Sequence, residues 1–253
     1  MIRRTSIAAL FFATALFFVL TSSALAEGKP AAAKSATVVD QGSLGIFQGG
    51  QRVGTENFTI RQYPDSSVTS SELHVEAGPA GANLDQSSEL TLFPNGSLSR
   101  YEWKQLGPPH NSATVELKDQ FLTMHVVTDG KSAEQPFFLT AETFVLDDYF
   151  FSTREVLLWR YLASACKPRP GGDGCDLTRV RFPVLIPRRR TSSEVYIEFK
   201  GYDDTPLNGR PQHLRHFVMQ TDGPEWHLWL DADHKLLRIS IPDSHTEILR
   251  QEK

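Results

Sequence analysis

DDYFFSTREVLLWRYLASA, residues 147–165, is the one long helical pattern in a chain that otherwise alternates as β-strands do. Apolar residues cover nearly the whole circumference of this helix, which is typical of a helix that is mostly buried. Asp147 or Asp148 is the expected N-cap, because an acidic side chain there accepts free main-chain N–H groups and suits the helix dipole. The flanking segments are rich in strands, so we expect the helix to pack on the concave face of a curved antiparallel sheet.

One basic residue, Arg154, interrupts the broader apolar arc of this helix, which includes Phe150, Leu157, Leu158 and Tyr161. A buried guanidinium needs an acid, water at a rim, or a stem long enough to reach solvent. The pattern leaves two interpretations open. Arg154 is either one half of a structural ion pair or a group that meets the anionic head of a ligand at a cavity mouth. In the second case the four apolar residues line the helix side of that cavity.

The N-terminus has the three parts of an export signal. Arg3 and Arg4 form a charged start, Ile7–Leu20 is an apolar run, and Ala24–Ala26 is a cleavage site of small residues. We therefore expect residues 1–26 to be a signal peptide and the exported chain to begin at Glu27. The apolar run is short for a transmembrane helix, so an uncleaved anchor is the lesser alternative. The expected location is the periplasm or the cell exterior.

The remaining sequence indicates one domain. Residues 27–40 are rich in Ala, Lys and Ser, which predicts a flexible lead-in, and residues 41–253 indicate a single β-rich domain. The formal net charge of −4 argues against nucleic acid as a partner. We also expect no cofactor.

The two cysteines, Cys166 and Cys175, flank the stretch KPRPGGDG. In an oxidising compartment such a pair predicts a disulfide that closes a short loop. The spacing fits neither CxxC redox chemistry nor a four-ligand zinc site.

Turn signals at regular spacing divide the rest of the chain into about a dozen short strands. Gly49-Gly50, Asn95-Gly96 and Asp231–His234 are expected to close β-hairpins. Gly201–Arg210 is expected to be a polar loop. The predicted fold is mainly β (α+β): a curved antiparallel sheet or half-barrel wrapped around one long, largely buried helix.

The last hairpin illustrates the alternation on which this prediction depends. Trp226 shares a strand face with Leu228 and Leu230, so it is expected in the core, whereas Trp229 lies on the opposite face with His227.

Two stretches carry a resemblance to a known family. FQGGQRVGTENFTI, residues 47–60, and EWHLWLDADHKLLRISIP, residues 225–242, resemble the two ends of a family of uncharacterised exported bacterial proteins. That family is similar to the lipoprotein-carrier half-barrels (LolA/LolB-like), in which a curved sheet wraps a helix and holds acyl chains. The resemblance covers most of the mature chain at the level of pattern. It implies a fold and a compartment, and it supplies no catalytic residues.

The sequence carries no recognisable motif for enzyme chemistry. The chain has no nucleophile elbow, phosphate-binding loop or dinucleotide fingerprint. His213 and His216 are the best metal-like pair, but an odd spacing on a strand puts them on opposite faces, so no metal site is expected. Arg188, Arg189 and Arg190 form a basic patch, which is either a solvated loop or a surface that faces anionic lipid head groups.

These observations favour a non-enzymatic exported protein that binds a hydrophobic or amphiphilic, lipid-like ligand in the cell envelope. A structural or protein-interaction module with a filled core is the alternative, with envelope proteins or the membrane surface as partners. A hydrolase with an unrecognised site is the third hypothesis.

Overall fold

The computed structural model shows a mainly β structure in the residues that it describes. It covers residues 35–76, 84–169, 172–175, 179–207 and 209–251. The predicted signal peptide at residues 1–26, and residues 27–34 of the predicted lead-in, lie outside these ranges. The lead-in prediction is wrong at its other end, because the first strand already begins at Thr37.

Within the described ranges there is one α-helix, α1, which spans Ser152–Ala165. Two short 3₁₀ helices span Pro187–Arg189 and Pro242–Ser244. The strands, numbered in chain order, are β1 Thr37–Gln48, β2 Gln51–Tyr63, β3 Ser66–Val75, β4 Leu84–Leu92, β5 Leu98–Gln105, β6 Ser112–Lys118, β7 Phe121–Thr128, β8 Lys131–Phe137, β9 Phe144–Val145, β10 Cys166–Arg169, β11 Gly172–Cys175, β12 Val180–Ile186, β13 Thr191–Leu207, β14 Arg210–Gln220, β15 Glu225–Leu230, β16 Leu236–Ile241 and β17 Thr246–Arg250.

Fifteen of these strands form one curved sheet in the order β8-β7-β6-β5-β4-β3-β2-β1-β17-β16-β15-β14-β13-β12-β9. The pairs are antiparallel, apart from the short parallel pairing of β9 with β12. Consecutive strands are neighbours from β1 to β8 and from β12 to β17, and β1 joins these two halves by pairing with β17. The prediction of a mainly β fold with an antiparallel sheet is therefore confirmed.

Hairpin turns lie where the turn residues predicted them. Gly49 and Gly50 have φ values of +56° and +79°, and Gly96 has a φ of +78°. Residues other than glycine adopt such left-handed angles only at a cost, so these turns select glycine. The turn at Asp231–His234 is held by its first residue, whose carboxylate accepts the main-chain N–H of Lys235 at 2.8 Å.

The disulfide prediction is confirmed. Cys166 and Cys175 are bonded, and they face each other across the small β10–β11 hairpin, which is separate from the large sheet. This hairpin directly continues α1, so the bridge fixes the C-terminal end of the helix to the chain that follows it.

Two local predictions are wrong. The helix begins at Ser152 rather than at Asp147 or Asp148, and neither aspartate caps it. The predicted polar loop from Gly201 to Arg210 is mostly strand: β13 continues to Leu207 and pairs with β14 almost to the turn. The register shift at Gly201, whose φ is +112°, bends β13 there. Polar residues suit this projecting hairpin because it extends beyond the strands on either side.

The core lies between α1 and the inward face of the sheet. Phe150, Leu157, Leu158 and Tyr161 are buried against apolar side chains from both halves of the sheet. Trp226 packs towards α1, with its ring 6.3 Å from that of Phe151. Alternation thus predicted the two faces of this hairpin correctly, with Trp229 on the other face beside His227, but Trp226 is only partly buried, whereas Trp229 is 8% exposed.

Candidate functional site

The N-terminus of α1 is held by a carboxylate from the sheet. Glu56 on β2 is fully buried, and it accepts the main-chain N–H of Phe151 at 2.6 Å and that of Ser152 at 3.2 Å. The Ser152 hydroxyl contacts the Ser71 hydroxyl at 2.8 Å. Burial raises the pKa of Glu56, and these hydrogen bonds oppose the rise. The helix therefore has its acidic cap, but from a strand far away in sequence.

Asp147 is the centre of a second buried network. Its carboxylate accepts the Tyr101 hydroxyl at 2.7 Å, the Tyr149 main-chain N–H at 2.8 Å and the Nε of Arg188 at 2.9 Å. Burial and the neighbouring carboxylate raise the pKa of Tyr101 well above its ordinary value. Asp147 thus joins β5, the chain leading into α1 and the turn after β12.

The predicted basic patch is largely paired with acids. The guanidinium of Arg188 lies between the rings of Trp103 and Tyr149, at 4.2 and 4.5 Å from their centroids, and pairs with Asp147. Arg189 makes two hydrogen bonds to Asp148, at 2.8 and 2.9 Å.

Arg190, the third member of the patch, bridges towards the opposite edge of the sheet. Its guanidinium reaches the Thr128 hydroxyl at 3.5 Å, and its carbonyl accepts Gln135 at 3.4 Å. The three arginines therefore fasten the turn after β12 to its surroundings, and Arg189 and Arg190 remain open to solvent.

Arg154 is only 1% exposed. Its Nη1 donates to the carbonyl of Phe150 at 2.8 Å and to the carbonyl of Asp147. Its guanidinium also lies over the Trp226 ring at 4.8 Å. Burial lowers the pKa of Arg154, although Asp148 and Asp147 favour the charged form. Within the described part of the chain no carboxylate makes an ion pair with it, and its Nε has no hydrogen-bond partner.

A cleft of about 190 Å³ opens beside Arg154 between the turn after β12 and the turn after β14. Its polar lining includes Arg189, Asp148, Asp222 and a row of hydroxyls; Asp222 itself accepts a hydrogen bond from Ser193. Its apolar lining is Leu146, Ile186, Met219, Pro224 and Trp226. The cleft thus combines a buried cation, hydroxyl donors and an apolar wall.

The other residues predicted to line a ligand site are packed inside the protein. Phe150, Leu157, Leu158 and Tyr161 are each 0–1% exposed. The Tyr161 hydroxyl accepts the main-chain N–H of Phe199 at 3.2 Å. The structure therefore brings all five predicted residues onto one helix and its approach, but only Arg154 lines the cleft.

Sequence reasoning missed a third buried acid, Glu155. Its Oε2 accepts the main-chain N–H of Leu236 at 3.0 Å and lies 3.7 Å from Arg250. Arg250 makes two hydrogen bonds to the nearby Asp40, at 2.7 and 2.8 Å.

Burial, followed by the adjacent carboxylate of Asp40, raises the pKa of Glu155 to about 9. Burial also acts to raise the pKa of Asp40, but hydrogen bonds from Arg250 and Glu155 outweigh it and lower that pKa. At neutral pH the proton shared by this pair therefore stays on Glu155.

We expect Glu155→Gln to stabilise the protein at alkaline pH. The folded-state pKa of Glu155 is raised, so the native state binds more protons than the unfolded state from about pH 4.5 to about pH 9, and stability falls across that window as pH rises. Glutamine has no proton to lose in this range, and its amide oxygen can still accept the main-chain N–H of Leu236. Urea unfolding should give a variant equal to wild type near pH 5 and more stable by about 1–3 kcal/mol at pH 8–9. Glu72→Gln, at an exposed position, is the control. If the free energies of unfolding of wild type and Glu155→Gln differ by the same amount at every pH, the raised pKa is not that of Glu155.

The two histidines considered as a metal pair are apart. His213 contacts Asp204 at 3.0 Å, whereas His216 contacts Asp203 at 2.8 Å and His227 at 2.9 Å. Burial lowers the pKa of His216. No group of three metal-ligating side chains occurs in the described ranges. The contact between His216 and His227 was not predicted, because His227 lies on the neighbouring strand β15 and the register between two strands cannot be read from one strand alone.

Comparison of the chain with known protein families, with curated proteins and with solved structures finds no match. Among the described residues, no helix combines the length and the apolar character that crossing a membrane requires.

Proposed function

We propose that this protein binds an anionic amphiphile without catalysis in the cell envelope, and that the head group of the ligand meets Arg154. The observation that carries the proposal is a buried guanidinium beside a cleft, with no ion-pair partner in the described chain. Removing a charge from water without a partner costs several kcal/mol. An anion in the cleft offsets that cost, so the site favours an anionic ligand over a neutral one.

The cleft accounts for recognition of the head group more than for a long tail. Its 190 Å³ is lined on one side by Leu146, Ile186, Met219 and Trp226, which suit the first carbons of an alkyl chain. A longer chain must extend along the apolar face of α1. In the proposal, the helix therefore shifts when ligand binds, and Phe150, Leu157, Leu158 and Tyr161 then contact the tail.

The half-barrel arrangement belongs to the same proposal. Contacts from Arg190 to Thr128 and Gln135 join the turn after β12 to the β7–β8 edge, which supports a sheet that curls around α1. Arg189 and Arg190 are both exposed beside these contacts, where they are suited to anionic head groups at a membrane surface.

We expect Arg154→Leu to weaken binding of an anionic amphiphile at least tenfold and to leave binding of a neutral one unchanged. Titrations with dodecyl phosphate and dodecyl maltoside, each below its micelle concentration, measure the two effects. Arg154→Lys should keep part of the anionic preference because it keeps the charge. Circular dichroism and the melting temperature report whether each variant is folded.

Asp222→Asn gives a matched test, because an unfolded variant would lose affinity and this one is expected to gain it. This change removes an acid from the cleft that contains Arg154, so affinity for dodecyl phosphate should rise about three- to tenfold, which corresponds to about 1 kcal/mol of relieved repulsion. If neither Arg154→Leu nor Asp222→Asn changes the affinity for dodecyl phosphate, the head group does not bind at this cleft.

A protein-interaction module is the second candidate, and one surface favours it. Phe138 is 90% exposed, and its ring lies edge-on to that of Phe121 at 5.5 Å, at the end of the sheet where β7 begins. Exposed aromatic clusters mark contact surfaces. Phe138→Ser should then abolish co-purification of a partner protein while amphiphile binding is unchanged.

A further inference from the structure

A second cleft, of about 240 Å³, lies on another side of α1, beside the β4–β5 turn. Among the described residues, none lines both this cleft and the cleft at Arg154. Its apolar walls are Leu92, Phe93, Phe144, Val156 and Ala163, and Gln62, Ser67 and Asn95 add polar groups at the margin. Arg160 is its cation.

The N–H donors of the Arg160 guanidinium are available to a ligand. It is half-buried, and within the described ranges it makes no hydrogen bond and no ion pair. Its guanidinium lies 5.9 Å from the centroid of the Phe182 ring, and Glu142 attracts it without direct contact. Burial lowers the pKa of Arg160, which reflects the cost of keeping this charge partly out of water. An anion that reaches the guanidinium would reduce that cost.

Helix geometry explains why the cation and the apolar wall lie together. Val156, Arg160 and Ala163 are spaced by four and three residues, so they follow one stripe of α1. Phe93 stands opposite this stripe at the end of β4, where its main-chain N–H donates to the carbonyl of Ser97 at 2.9 Å. Phe93 is nevertheless 45% exposed, so a large apolar ring is left beside the open cleft.

We propose that this cleft is a second ligand site, which takes a single alkyl chain with an anionic head, the chain lying between Phe93 and Val156 and the head on Arg160. The ligand class rests on the proposed function, but the site does not depend on Arg154. A carboxylate or a phosphate monoester can accept two parallel N–H donors from one guanidinium. The volume equals that of about eight waters at ~30 Å³ each, which suits a chain of medium length.

The test is calorimetric titration of the full chain with decanoate, below its micelle concentration, with decyltrimethylammonium as the cationic control. Wild type should bind two decanoates and no decyltrimethylammonium at either cleft. Arg160→Gln should bind one, or show at least tenfold weaker binding at one of two sites. Arg160→Lys should retain partial binding. Because Arg160 makes no hydrogen bond to the residues that the structure describes, Arg160→Gln should keep the wild-type melting temperature.

The same titration on Arg154→Leu separates this inference from the proposed function. If wild type binds one decanoate and only Arg154→Leu removes that binding, the site at Arg160 is overturned and the site at Arg154 stands. If wild type binds one decanoate and only Arg160→Gln removes that binding, the site at Arg160 is supported and the assignment of the head group to Arg154 is contradicted. No decanoate binding by wild type would overturn both.

Discussion

Replacing Asp147 by alanine is expected to lower the free energy of unfolding by about 3–5 kcal/mol, because the change leaves a largely buried Arg188 without its acid. The Tyr101 hydroxyl also loses its acceptor, at a position where no part of the Asp147 side chain reaches solvent. Losing one partner of a buried pair exposes the full desolvation cost of the other. Urea denaturation at pH 7 measures the change.

The adjacent residue provides a matched control. Asp148 also pairs with an arginine, but that partner, Arg189, is 63% exposed. Exposed ion pairs contribute about 0–1 kcal/mol, so Asp148→Ala should be mild. Equal losses for the two variants would mean that the buried network around Asp147 does not support the fold.

Glu56→Ala is expected to cost about 2–4 kcal/mol, because it removes the side-chain acceptor of two main-chain N–H groups at a buried helix N-terminus. Glu56→Gln should lose less, since its amide oxygen can still accept one of these groups. The effect should also appear as faster hydrogen exchange at the start of α1, where Phe151 and Ser152 donate.

Glu72→Ala, on the neighbouring strand but facing solvent, is the control for losing one acidic residue. If Glu56→Ala unfolds at the same urea concentration as wild type, with unchanged exchange at Phe151 and Ser152, the cap from β2 makes no net contribution to stability.

Local sequence patterns were sufficient to predict much of the sheet. Strand alternation placed Trp226 on the sheet face towards α1 and Trp229 on the opposite face, and glycines marked the turns at residues 49–50 and 96. The disulfide followed from two cysteines in a short loop. Each of these features depends on residues close together in sequence, which a single chain displays directly.

The predictions that were wrong concern features that depend on residues distant in sequence. An acid before the helix is the usual cap, yet Glu56, 95 residues away from Phe151, takes that place and leaves Asp147 for Arg188. Polarity predicted a loop at residues 201–210, but pairing with β14 makes it a strand. Arg154 was recognised as unusual from its position, whereas Glu155, the next residue, was overlooked because only the tertiary fold places it beside Asp40.

The central claim, that the protein holds an anionic amphiphile, is tested most directly by native mass spectrometry. The chain is expressed in full and purified without detergent, so the intact mass also shows whether cleavage precedes Glu27. Spectra are recorded before and after organic extraction, and again after incubation with dodecyl phosphate. The account predicts an added mass that extraction removes and dodecyl phosphate restores, and that Arg154→Leu and Arg160→Gln reduce. A wild-type mass that stays free of any adduct after incubation would contradict it.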